Sequence, residues 1–217
     1  MTDAIKKNIR CPRCRKNHEV TLWNYINTEL HPKAKEKLLD GTLFRFTCDC
    51  GYTAEIAIPL IYHDEKHKAV IHYVPEEYAE YEERNLEKSP GLYLAKRLRK
   101  QIRIVTCHHH LREKAVIFSE GLDDRVIEFI KADAFNELLE QVPEAEWENL
   151  YFRKNNEKYC LEYEGKESYT TELPPDLYRE TARKFADRLR ETKGNYYIDF
   201  NWAILEMLKA DAAECIN

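Results

Sequence analysis

At 217 residues, with 43% hydrophobic and 34% charged residues, the chain is long enough for one large or two small domains and has the composition of an ordinary globular protein. Its formal charge of −5 argues against non-specific attachment of the whole chain to nucleic acid or anionic membranes. No run approaches the roughly 18 apolar residues that span a bilayer, and Met1 to Arg10 lacks the apolar core of a secretory leader. The seven cysteines, an odd number, suit a reducing compartment better than a disulfide framework, so the expected location is cytoplasmic, with no membrane contact.

The first chemical feature in chain order is Cys11-Pro12-Arg13-Cys14. Val20 to Thr28 then alternates through Val20, Leu22 and Ile26 as a half-buried strand does. Pro32 suits a first helical position, and Asp40-Gly41 ends the helix Lys33 to Leu39. Leu43 to Thr47 reads as a strand entering the second pair, Cys48-Asp49-Cys50, with Gly51 behind it where a turn with positive φ is required. Two close thiol pairs can surround one tetrahedral ion, and Zn²⁺ is the usual occupant of four sulfurs. Cys11, Cys14, Cys48 and Cys50 are therefore the expected ligands of one structural zinc ion. The competing thiol–disulfide reading is weaker, because such pairs normally open a helix, whereas a strand follows Cys14. Thr53 to Tyr62 and Ala69 to Val74 read as further strands, joined by the polar turn His63 to His67. The expected fold class is α+β, with a zinc-ribbon-like antiparallel sheet carrying an inserted helix, followed by central helices and a C-terminal αβ element.

Several stretches share a family likeness. The cysteine spacing, Asp40-Gly41-Thr42-Leu43-Phe44, Cys50-Gly51-Tyr52 and Pro59-Leu60-Ile61-Tyr62-His63-Asp64 resemble the CpXC family, prokaryotic proteins named for paired Cys-Pro-x-Cys motifs. The resemblance continues through Arg103-Ile104-Val105 and Leu111-Arg112-Glu113-Lys114 to Gly121-Leu122-Asp123-Asp124-Arg125, covering about residues 9–131. It implies a zinc site and no settled activity. The second pair departs from the pattern, being Cys-x-Cys without proline.

From Glu76 to Glu87 the chain is strongly acidic, with Pro75 able to open a helix, whereas Lys96, Arg97, Arg99, Lys100 and Arg103 are basic with no acid among them. Ser89-Pro90-Gly91 separates the two blocks as a candidate hinge. Gln101 to Cys107 should be a strand, Leu111 to Glu120 a helix, and Asp123 or Asp124 can cap a second helix reaching Gln141. On that helix Ile127, Ile130, Ala134 and Leu138 share one face, while Glu128, Lys131 and Glu137 point away. Pro143 marks the expected boundary between a domain of residues 1–141 and an element of residues 142–217 packed on it. In the latter, Asn149 to Arg153 and Tyr159 to Glu164 form a hairpin around Asn155-Asn156, and Glu167 to Glu172 adds a strand. A helix from Asp176 to about Thr192, a short strand Tyr196 to Ile198 and a terminal helix from Asn201 follow.

Three functional classes fit these features. A closed four-sulfur site leaves no position for water, so a zinc-stabilised, non-enzymatic binding or scaffold protein with a protein partner is the leading expectation. A nucleic-acid-associated protein would use Lys96, Arg97, Arg99, Lys100 and Arg103 to track phosphates, unless the acidic run neutralises them. A metal-dependent enzyme would use His108 and His110, which share a face if the strand continues through them. His63, His67 and His72 read as solvated histidines near a turn. A second copy of the chain is a further candidate partner.

Overall fold

The computed structural model describes residues 3–78, 95–98, 100–142, 147–166, 168–192 and 194–214. These fall into two units, Met1–Ala115 and Val116–Asn217. The architecture is α+β, as the sequence patterns predict. Most of the acidic run, the hinge Ser89-Pro90-Gly91, Arg99 and the boundary residue Pro143 lie outside the described residues, and only a 3₁₀ turn, Glu76–Tyr78, follows Pro75.

In the first unit, β1 (Ala4–Arg10) and β2 (Asn17–Trp23) form an antiparallel hairpin. The strand expected to run on to Thr28 breaks at Asn24. Asn24 and Tyr25 both donate their N–H groups to the Asp3 carbonyl, and the Asn24 carbonyl accepts from Ile61 N–H. The chain thereby leaves one ladder for another, and β3 (Tyr25–Asn27) runs parallel to β6 (Leu60–Asp64). Helix α1 (Pro32–Leu39) has proline in its first turn, as expected. Its end is closed by Gly41 at φ 79° and by the Arg112 guanidinium, which donates to the Leu39 carbonyl at 2.7 Å.

A second hairpin, β4 (Arg45–Thr47) with β5 (Thr53–Glu55), carries the second cysteine pair in its turn. The single strand expected from Thr53 to Tyr62 is two, β5 and β6, belonging to different sheets. The larger sheet has the order β3-β6-β7-β8, with β7 (Ala69–Tyr73) antiparallel to β6 and parallel to β8 (Gln101–Val105). It is therefore mixed, and the cysteine-bearing hairpins are two separate ladders rather than one end of a single antiparallel sheet. Every residue of β7 is buried, as expected of an apolar central strand covered on both faces.

Helix α2 (His108–Ser119) starts three residues earlier than expected and crosses the division between the units. Helix α3 (Asp124–Gln141) is capped by Asp123, whose carboxylate accepts the Arg125 N–H. The expected domain boundary after Gln141 falls inside the second unit, because α3 packs with C-terminal helices. A three-stranded antiparallel sheet, β9 (Trp147–Asn155), β10 (Lys158–Gly165) and β11 (Tyr169–Glu172), has β10 at its centre. Asn156 at φ 53° makes its first turn.

The expected helix from Asp176 is two, α4 (Leu177–Lys184) and α5 (Ala186–Glu191), bent at Phe185. The Phe185 ring stacks on Phe129 with centroids 4.0 Å apart, and Phe129 also meets Trp202 of α6 (Phe200–Glu214). Tyr196 to Ile198 is not a strand. Ile198 fills the core around Phe129, and Asp199 caps α6 by accepting Trp202 N–H at 2.8 Å. On the same helix Leu205 and Leu208 are 58% and 59% exposed.

Candidate metal centre

The two hairpin turns that carry cysteines are built alike. In the first, Cys11 N–H donates to Lys16 and Arg15 N–H returns to the Cys11 carbonyl, with Arg15 held at φ 63°. In the second, Cys48 N–H donates to Tyr52 and Gly51 N–H to the Cys48 carbonyl, with Gly51 at φ 79°. Each turn therefore needs one residue in the left-handed region just after its second cysteine. Glycine adopts it freely in one hairpin, while an arginine is forced into it in the other.

Cys11, Cys14, Cys48 and Cys50 converge. Their sulfur atoms all lie within 4.8 Å of one another, with Cys11 to Cys50 at 3.7 Å and Cys14 to Cys48 at 3.5 Å. A zinc–sulfur bond of about 2.3 Å places neighbouring sulfurs of a tetrahedron roughly 3.8 Å apart, so the spacing fits a four-coordinate ion. The four thiols are free, and among the described residues they are the one such group of possible donors that could hold a metal ion. Cys11 and Cys48 are buried with Phe46, and Val20, Tyr52, Ala54 and Ile56 pack around them, so the site sits in a small apolar core shared by both hairpins.

The local electrostatics divide the thiols. Burial opposes ionisation of Cys11, but the Cys14 and Arg13 amides and the Cys48 and Cys50 thiols outweigh it and bring Cys11 down to about 6. At Cys48 the Cys50 amide favours the thiolate, yet burial and the three other thiols push the group up to about 12. A sulfur cluster without a cation holds its first negative charge readily and resists further ones, which a divalent ion would relieve. His18 Nε2 lies 3.1 Å from Cys48 Sγ, placed to donate to a thiolate. His18 is a site residue absent from the sequence-based set, and the alternation of β2 is the signal that places it on the hairpin of the first cysteine pair.

A family model described as CpXC protein matches residues 9–131. The chain belongs to the CpXC family. No curated protein and no solved structure matches it. The CpXC match spans both cysteine pairs, and the missing proline of the second pair does not prevent the four sulfurs from meeting.

The other expected site residues of this CpXC chain are placed differently. His108 and His110 lie on the first turn of α2, not on a continuing strand, and residues two apart on a helix do not face each other. His108 Nε2 is 3.0 Å from Glu55 Oε2 of β5, and its ring lies against those of Phe44 and His109. Burial and the neighbouring His109 lower its pKa against the pull of Glu55.

Of the basic run, Lys96 and Arg97 are exposed, whereas Arg103 is buried in β8, where it donates to the Ile102 carbonyl at 2.7 Å. The Lys100 side chain is 6% exposed and bonds to both Glu65 and His63. The histidines near the β6–β7 turn are not the solvated groups the sequence suggested. His63 bonds Tyr25 Oη at 2.9 Å and approaches Glu65 at 2.6 Å, His67 bonds the buried Asp64 at 2.9 Å, and His72 is buried in β7. Lys100, 37 residues along the chain from His63, completes a cluster that local sequence could not reveal. Among the described residues, no helix is long and apolar enough to cross a membrane.

Proposed function

We propose that this protein is a zinc-stabilised, non-enzymatic binding module whose single ion, held by Cys11, Cys14, Cys48 and Cys50, fastens the β1–β2 hairpin to the β4–β5 hairpin. The observation that carries this reading is the convergence of four free sulfurs from two hairpin turns within 4.8 Å. A four-sulfur set fills a tetrahedral ion completely and leaves no position for an activated water, which favours a structural role over a catalytic one. The ion would supply cross-linking and charge neutralisation. The chain's own part is to present the sulfurs, direct backbone N–H groups at them, and exclude water with Phe46, Val20 and Ile56. The nucleic-acid reading draws less support, because Arg103 is buried and Lys100 is tied to Glu65 and His63.

Elemental analysis of protein purified without chelator should give one zinc per chain. A tetrathiolate iron site would instead absorb in the visible, which a zinc site does not. Metal-free protein with an unchanged amide spectrum would overturn the structural-zinc reading. Metal-dependent hydrolytic turnover lost on substitution of His108 would overturn the non-enzymatic one.

A further inference from the structure

Two strand edges in the first unit face a single slot. Among the described residues β2 pairs only with β1, and β4 only with β5. In the first hairpin Cys11 bonds across to Lys16, and Asn24 to Asp3. Antiparallel ladders alternate hydrogen-bonded and open pairs. Extending that alternation through the observed register puts the N–H and C=O groups of Glu19 and Thr21 on the side away from β1. In the second hairpin the Cys48–Tyr52 and Ile56–Phe44 bonds likewise turn the Thr47 N–H and C=O and the Arg45 C=O away from β5. None of these outward groups has a hydrogen-bond partner among the described residues; the Arg45 N–H alone on that edge is used, by the Thr42 carbonyl.

Between the two edges lies a slot of about 340 Å³, walled by residues 18–23 on one side and 42–47 on the other. No residue of β1 lines it, and of the strand opposite β4 only Ile56, just past the end of β5, does, so it opens mainly on the unpaired side of each hairpin. A row of unused strand groups on each wall is the arrangement that accepts an added strand. A segment of three or four residues, roughly 10–14 Å at the rise of a strand, matches the paired run of outward groups.

Charge selects the occupant. Glu19 is the acidic residue on the slot, and its carboxylate is taken by Lys6 at 2.7 Å. Lys37 and Arg45 line the slot, are exposed, and make no ion pair among the described residues. We propose that the slot between β2 and β4 binds an extended acidic segment of a partner protein, which adds a strand between the two hairpins and sets its carboxylates against Lys37 and Arg45. This rests on the binding-module reading above and names the surface and the partner chemistry for it.

The test uses the full chain as purified, with its zinc content measured in the same sample. The probes are a hexapeptide alternating threonine and glutamate, the same peptide with lysine for glutamate, the acidic peptide N-methylated on alternate amides, and a ten-nucleotide thymidine single strand. The expected result is binding of the acidic peptide with slowed amide exchange at Glu19, Thr21 and Thr47. N-methylation should abolish it, and Lys37→Glu with Arg45→Glu should weaken it by about tenfold or more, as loss of rim charge complementarity does. Equal or tighter binding of the lysine peptide or the oligonucleotide overturns the proposal. So does protection of those amides by self-association at rising protein concentration without peptide. Zinc present with no peptide binding sinks the slot alone, and peptide binding without zinc sinks the metal reading alone.

Discussion

The Lys131 ammonium lies 2.9 Å from the Glu128 carboxylate, and the two side chains are 2% and 1% exposed. Helical spacing predicts both on the outer face of α3, yet both are buried. A buried pair tolerates the loss of both charges far better than the loss of one. Lys131→Met alone should therefore destabilise by up to about 3–5 kcal/mol by taking a positive charge from beside the buried carboxylate, while Glu128→Leu with Lys131→Met should recover part of that loss. Chemical denaturation of the two single variants and the double variant measures the coupling. A double variant whose loss equals the sum of the two single losses would mean that the two charges are not coupled to each other.

How much of this was legible depended on range in sequence. Pro32, Gly41 and Asp123 bound their helices where local chemistry says they should, because caps and turns are decided by a few adjacent residues. The four sulfurs were legible for the same reason, each pair being a local turn. The burial of Glu128 and Lys131 was not, since an amphipathic pattern assumes that one face of a helix meets solvent. Nor was the splitting of Thr53 to Tyr62 between two sheets, because strand propensity does not say which neighbour a strand will pair with.

The left-handed residues after each cysteine pair give a second prediction. A Cβ built at Gly51 meets nothing within 4 Å, so Gly51→Ala tests backbone conformation alone and should cost about 1–2 kcal/mol. Arg15 already bears that strain at φ 63°, and Arg15→Gly should relieve up to about 1 kcal/mol, less the entropy a glycine adds to the unfolded chain. Melting of the zinc-loaded proteins tests both signs. A neutral Gly51→Ala would show that the second turn relaxes to another conformation.

Cys14→Ser should leave three sulfurs and loosen both hairpins. A loss of about 3 kcal/mol would lower the Tm by roughly 6–12 °C at this chain length. Cys160→Ser is the control, because Cys160 is buried in β10 and is not one of the four clustered sulfurs. It should keep one zinc per chain, so any fall in its Tm reports packing. If Cys14→Ser retained full zinc and the parental Tm, the ion would not sit among these sulfurs.

Protonation of His63 supplies the last prediction. Burial and then the Lys100 charge lower its pKa from 6.5, against Glu65 and Asp64, which raise it. The unfolded chain therefore binds this proton more readily than the folded one, so stability rises with pH across the window between the two values. The contribution of His63 is complete above about 6.5 and is lost as pH falls through 6.5 toward the lower folded value. His72, lowered by burial alone, adds to the same trend. Lys100→Met removes the charge that opposes protonation and leaves Glu65, so the NMR titration midpoint of the His63 ring should rise and the loss of stability as pH falls below about 6.5 should shrink. An unchanged midpoint in that variant would show that Lys100 does not face His63 in solution.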